Sequence, residues 1–403
     1  MPDLKDLYID LHAHPELSGQ EERTSGIVAA ALRESGYEVI EHIGGYGVVG
    51  ILRNGEGPTV WLRADMDALP VKEATGLDYA SDVVVEGADG VPTPVMHACG
   101  HDMHVTALVG ATATLAGSTD EWKGTVVAVF QPAEENLSGA RAMIDDGLLD
   151  KAPHPDVVLG QHVAPGPAGM VFYHPGATLA ASDALEIKLF GRGGHGSRPE
   201  TTVDTVVLAA AVITRLQTIV SREVAAGDEA VVTVGRVEVG TKNNIIPGEG
   251  VLEMSVRTYT PEVREKVLAA IKRIVDGEAA AAGADRMPEI RTVYNSPPTV
   301  NDDAATTRVI DAFETAFPGR VLPVPAGTGS EDFGILGSAA GAPSVYWFLG
   351  GADPKLFAPP ADLMTVLGQI PSNHSPEYAP VIEPTTTMGV AALVTAARAW
   401  LSA

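Results

Sequence analysis

Residues 125–135 read TVVAVFQPAEE. An unbroken apolar run stops at a Pro-Ala turn and delivers two carboxylates. A short run that is apolar on both sides suits a strand buried on both faces, as a parallel sheet requires. Similar runs occur at 59–67 (TVWLRADMD), 156–163 (DVVLGQHV) and 47–53 (GVVGILR). Helical spacing separates most of them, at 103–117 (MHVTALVGATATLAG) and 138–149 (SGARAMIDDGLL). A further helix, EERTSGIVAAALRESGYEV at 21–39, has a glycine stop at Gly36. Strands alternating with helices predict an α/β fold, a mostly parallel sheet flanked by helices. Such sheets bind ligands beyond the carboxyl ends of their strands.

The pattern changes near Asp183. A strand and glycine-rich loop (DALEIKLFGRGGHGSRP, 183–199) precede a helix at 202–224. Strands at 229–240 and 250–260, a helix at 261–284 and a closing strand at 289–295 follow. This βαββαβ order is the ferredoxin-like split-βαβ unit. The segments 300–317, 342–351 and 385–403 then return to the first sheet. The expected organisation is one discontinuous domain, 1–182 with 296–403, and an inserted α+β domain, 183–295.

Composition narrows the function classes. The chain has 403 residues, 45% of them hydrophobic, and a net charge of −25. Acidic surfaces repel phosphate backbones, so a nucleic-acid partner is not expected. No unbroken apolar run approaches the roughly 18 residues of a membrane span, so no membrane partner is expected either. The first residues show no basic and apolar leader pattern. One cysteine offers no disulfide framework. These features together suggest a cytoplasmic protein.

That cysteine lies in HACGHDMH, 97–104. Alone it is core filler, a catalytic thiol or a metal ligand. Its surroundings favour the third reading. Cys99 and His101 open a helix, Asp65 and Asp67 end one strand, Glu134 and Glu135 another, and His162 a third. His374 lies in SNHSPEY. Thiolate, imidazole and carboxylate together suit zinc or a similar divalent ion. Adjacent carboxylates on extended chain point to opposite sides. One can serve as a ligand while the other faces the substrate and takes a proton from water. A solvated turn is the ordinary reading of a Glu-Glu pair, but this pair directly ends an apolar strand.

The motifs DLHAHPELSGQE, RADMDALP, HACGHDMH, QPAEE, GGHGSRP, NNIIP and SEDF occur in this order along the chain. Together they resemble the aminoacylase/carboxypeptidase family of co-catalytic metallopeptidases. The likeness is strongest to its amidohydrolase branch of hippurate hydrolases, indole-acetyl-amino-acid hydrolases and bacterial N-acyl-amino-acid amidohydrolases. The resemblance implies a metallopeptidase-like catalytic domain, with the insertion acting as lid and dimerisation domain. It implies Cys99, His101, Glu135, His162 and His374 as metal ligands, with Cys99 able to bridge two ions. It implies Glu134 as general acid/base. Many relatives carry a His-x-Asp ligand motif where this chain reads Asp65-Met66-Asp67, so Asp67 is expected to orient a ligand rather than bind metal.

In the insertion, His195 matches a residue that stabilises the oxyanion, commonly in the partner subunit's site. Asn244 and Arg257 match residues that hold substrate, Arg257 through a carboxylate. Gly329, in the 327–333 loop, is expected to line the same pocket. Glu331 and Asp332 beside it can be plain turn or cap residues. His97 and His104 are given no ligand role, and His12 and His14 no chemistry.

The implied activity is metal-dependent cleavage of the amide of an N-acyl-L-amino acid, releasing a carboxylic acid and a free amino acid. Two ions per subunit are expected, zinc foremost, with manganese, cobalt or nickel as alternatives. A homodimer paired through the insertion is expected. The alternatives are a dipeptidase or carboxypeptidase of the same family, or a binding protein without turnover on the same fold.

Overall fold

The computed structural model describes residues 3–87, 90–358 and 363–401. It divides into two compact units. One comprises Met1–Thr178, Val300–Pro325 and Asp332–Ala403; the other comprises Leu179–Thr299 and Ala326–Glu331.

The first unit is built on an eight-stranded sheet. Its order is Glu38–Ile43, Gly47–Asn54, Gly124–Gln131, Thr59–Asp65, Val157–Pro167, Ser344–Ala352, Val171–Tyr173, Val321–Pro323. The four strands from Gly124–Gln131 to Ser344–Ala352 run parallel. They are also the most apolar: Val126 to Phe130 and Val157 to Leu159 are buried without interruption. The outer strands join antiparallel, except that Val321–Pro323 runs parallel to Val171–Tyr173.

The helices Glu22–Glu34, His101–Ala116, Asp303–Ala316 and Ile382–Trp400 bury Val28, Leu32, Leu108, Val309, Phe313 and Leu393 in the core of this unit. Helix His101–Ala116 is buried on nearly every side. It starts after Gly100, whose φ is +87° and whose added Cβ would meet Val163 Cγ1 at 2.5 Å. Only glycine fits there, and its conformation sets the direction in which the Cys99–His101 segment leaves the helix.

The second unit has the expected βαββαβ order. Strand Ala181–Phe190, helix Thr205–Thr218, strands Ala230–Val239 and Glu249–Thr258, helix Pro261–Ala281 and strand Glu289–Ser296 follow one another. The four strands form an antiparallel sheet with Ala230–Val239 at one edge. Asp204 and Thr260 cap the two helices, each accepting from exposed N–H groups of the first turn.

One expectation needs correction. The insertion begins before 183, ends after 295, and recruits the 326–331 segment. Ala180 N–H donates to the Gly329 carbonyl (3.0 Å) and Tyr259 Oη to the Gly327 carbonyl (3.0 Å). These are bonds between segments distant in sequence, which local patterning cannot reveal. The segment Thr205–Glu223 is long and apolar enough to cross a membrane by length and composition alone, although Thr214 and Arg215 break its apolar run. Leu208, Ala209, Val212, Leu216 and Ile219 on this helix are packed into the second unit's own core.

Candidate active site

The strand ends converge as parallel topology requires. Asp65 is the last residue of its strand, and Glu134 and Glu135 follow the strand ending at Gln131. His162 is not at a strand end: Val157–Pro167 runs on past it. Its ladder with Thr59–Asp65 ends at the Arg63–Gly160 pair. Beyond that pair it is hydrogen-bonded to Ser344–Ala352, with His162 opposite Phe348.

Donor atoms gather here in several groups of three, among them Cys99 with His101 and His162, Cys99 with Glu135 and His374, and His101 with Glu134 and Glu135; within each, the atoms lie within 4.8 Å of one another. Cys99 belongs to the first two. Its Sγ is 3.4 Å from His162 Nε2. Burial pushes the thiol above its usual range.

The imidazoles are oriented by their other nitrogens. His162 Nδ1–H donates to the Val163 carbonyl (2.7 Å), leaving Nε2 with a lone pair. His101 Nδ1–H donates to the Asp67 carbonyl (2.9 Å), with Asp67 Oδ1 at 3.2 Å. His101 Nε2 and Glu135 Oε1 are buried without a hydrogen-bond partner. Orphaned buried donor atoms of this kind demand a partner, and a divalent cation suits a mixed sulfur, nitrogen and oxygen set. His374 stands at φ +72°, its N–H bound to the Ala98 carbonyl (2.8 Å) and its Nε2 3.4 Å from Glu135 Oε2. Hydrogen bonds to Cys99 and Glu135 raise it to about 10.

Glu134 is 5% exposed, and its Oε2 lies 3.9 Å from His101 Nε2. Asp67 Oδ2 accepts the Glu135 N–H (2.9 Å) and the Ser18 hydroxyl (2.6 Å). Burial alone would raise the Asp67 carboxyl, but its hydrogen bonds, that to His101 foremost, hold it low.

Asp65 is otherwise engaged. Arg63 Nη1 donates to Asp65 Oδ2 (2.6 Å), and its Nε donates to Gln131 Oε1 (2.9 Å). Val163 N–H donates to His104 Nε2 (2.7 Å), so the proton of His104 sits on Nδ1 and donates to Asp65 Oδ1 (2.5 Å). Burial opposes ionisation of Asp65, but Arg63 foremost holds the carboxyl well below the usual range. Both Asp65 oxygens therefore accept hydrogen bonds from protein groups.

Several participants were not legible in the sequence. Asp332 is a buried acceptor, not a plain turn residue: it accepts from Gln131 Nε2 (2.6 Å) and the Ala140 N–H (2.9 Å). His12 lies between Asp102 Oδ2 (2.6 Å) and Glu73 Oε1 (3.1 Å). Asn373 Nδ2 donates to the Cys99 and Val163 carbonyls (2.9 and 3.1 Å), joining two ligand-bearing segments. His97 is buried with neither ring nitrogen bonded.

In the second unit the expected residues form two groups. His195 is exposed and pairs with Ile245. Ser197 N–H donates to His195 Nδ1 (3.1 Å), so the ring proton is on Nε2. Gly196 N–H donates to the Asn244 carbonyl (2.9 Å), which brings His195 and Asn244 together. Arg257 Nη1 donates to Ser330 Oγ beside Gly329.

A largely parallel α/β sheet with thiol, imidazole and carboxylate groups gathered at its carboxyl edge has the layout of a metallohydrolase-type centre. The chain belongs to peptidase family M20/M25/M40, whose model matches residues 61–365. It is 43% identical to the hippurate hydrolase of Campylobacter jejuni over 81% of this chain and 82% of that one. It is 36% identical to the N-acyl-L-amino acid amidohydrolase of Geobacillus stearothermophilus, over 74% of this chain and 78% of that one. Among solved structures it resembles the Bacillus subtilis YXEP protein, described as a dinuclear metal-binding peptidase of the M20 family. The TM-score is 0.77 at 28% identity, covering 98% of this chain and 97% of that one.

Proposed function

We propose that this protein is a metal-dependent amidohydrolase that cleaves N-acyl-L-amino acids. The observation that carries the reading is the pair of donor triads sharing Cys99, with Glu134 beside them. Cys99, His101, Glu135, His162 and His374 would hold two divalent ions per subunit. Sulfur and nitrogen donors favour zinc over manganese, while cobalt and nickel accept the same donors. Held there, the ions would supply Lewis-acid polarisation of the scissile carbonyl and a lowered pKa for water.

Glu134 takes the proton of the attacking water and returns it to the leaving nitrogen. His195, with its proton on Nε2, is the donor to the carbonyl oxygen. Arg257 holds the substrate carboxylate in a forked contact, with Asn244 and Gly329 lining the pocket.

We further propose a homodimer in which His195 serves the partner's site. The helix Thr205–Thr218 and the edge strand Ala230–Val239 expose Val206, Val207, Val231 and Val237 at 48, 64, 45 and 54%, surface that a second copy would cover. Complementation tests this: His195→Ala and Glu134→Ala, refolded together, should regain about a quarter of wild-type activity. Hybrids without recovery would remove the trans role. A reducing cytoplasm suits the lone thiol.

The function itself is tested by turnover of hippurate and N-acetylmethionine with and without chelator. Turnover of dipeptides alone would favour the peptidase reading. Binding without product would leave a binding protein.

A further inference from the structure

The turn that carries Glu134 is strained. Ala133 stands at φ +50° and Leu137 at φ +51°, a region that side-chain-bearing residues avoid. Leu137 N–H closes onto the Glu134 carbonyl (2.6 Å) and Gly139 N–H onto the Ala133 carbonyl (3.1 Å). Such backbone persists only where its surroundings over-determine it.

Here carboxylates do so, each accepting a main-chain N–H of the turn. Asp67 takes that of Glu135 (2.9 Å), Asp332 that of Ala140 (2.9 Å), and Glu21 that of Ala133 (2.8 Å). The first two also engage His101 and Gln131. Glu21 is different. Its side chain is fully buried, its Oε1 also takes the Gly19 N–H (2.8 Å), and its Oε2 has no hydrogen-bond partner. Burial lifts its carboxyl to about 7. A buried carboxyl with an orphaned oxygen is costly, so its bond to Ala133 has to carry a benefit. The segment around it is tied to the same region: Ala68 N–H donates to the Glu16 carbonyl (2.8 Å) and Ser18 Oγ to Asp67 (2.6 Å).

We propose that Glu21 is a positioning residue for the general base: by accepting the Ala133 N–H it fixes the left-handed turn and so the direction from which Glu134 enters the site. This rests on Glu134 being the base.

The test compares Glu21→Met, which keeps bulk and removes the acceptor, with Glu21→Gln, which keeps it. The readouts are kcat and KM on hippurate, metal content, and hydrogen exchange of the Ala133 amide in metal-free protein. Glu21→Met should lower kcat by about 10²-fold, the cost of a misplaced catalytic group, with KM and metal content little changed and the Ala133 amide exchanging faster. Glu21→Gln should restore both kcat and protection. If Glu21→Met does not fold, Glu21→Asp, one methylene short of Ala133, is read the same way. Wild-type kcat or wild-type protection in Met or Asp overturns the proposal. So does a Gln variant no better than Met, or loss of metal in place of kcat. Glu134→Gln run alongside separates the two readings: normal turnover there removes the base assignment, whatever Glu21 does.

Discussion

Cys99 Sγ lies 3.4 Å from His162 Nε2, with no disulfide partner anywhere in the chain. The same sulfur completes a second triad with Glu135 and His374. In the metal-free protein burial raises the Cys99 thiol, and hydrogen bonds to Cys99 and Glu135 raise His374 to about 10. Metal uptake at neutral pH should therefore release protons. Calorimetry in buffers of different ionisation enthalpy reads this directly. Cys99→Ala should bind less metal and release fewer protons; unchanged occupancy and release would remove Cys99 from the shell.

His12 gives a pH prediction away from the reaction itself. Both ring nitrogens face carboxylate oxygens, so the buried ring is held as a cation. Burial opposes that charge, but Asp102 and Glu73 outweigh it and lift His12 from 6.5 to about 10. A raised folded-state pKa contributes stability that is complete below about 6.5 and lost as pH rises through about 10. His12→Gln should therefore cost most below 6.5, about 3–5 kcal/mol for a broken buried pair. The difference in Tm from wild type should shrink steadily towards pH 10. A difference independent of pH contradicts the cationic ring.

Arg257 should read the substrate's free carboxylate. Arg257→Leu is expected to weaken kcat/KM for N-acyl amino acids by about 1.5–3 kcal/mol. The matching amino-acid amides, which lack that charge, should be nearly unaffected. Equal losses on both substrates would assign Arg257 to structure through Ser330 alone.

The sequence carried most of the fold because apolar runs and glycine stops are local. TVVAVFQPAEE declares both a buried strand and its carboxylate pair. Asp65, Glu134 and Glu135 were legible as residue types at strand ends, whereas His162 lies inside its strand. What was not legible is long-range. Nothing near Glu21 points to Ala133, 112 residues away. Asp332 looked like a turn residue because its partners Gln131 and Ala140 lie in another segment. His104, given no ligand role, links Asp65 to the Val163 backbone, partners 39 and 59 residues away in sequence. His12 gives no local sign of the carboxylates at Asp102 and Glu73.

The proposed roles of the adjacent carboxylates differ: Glu135 would hold metal and Glu134 would move a proton. Metal content and kcat on hippurate, measured in the same preparations of Glu134→Gln and Glu135→Gln, test it most directly. Glu134→Gln should keep wild-type metal and lose about 10²–10⁴-fold in kcat, while Glu135→Gln should lose metal. Wild-type metal and turnover in Glu135→Gln, or metal loss with Glu134→Gln, would contradict it.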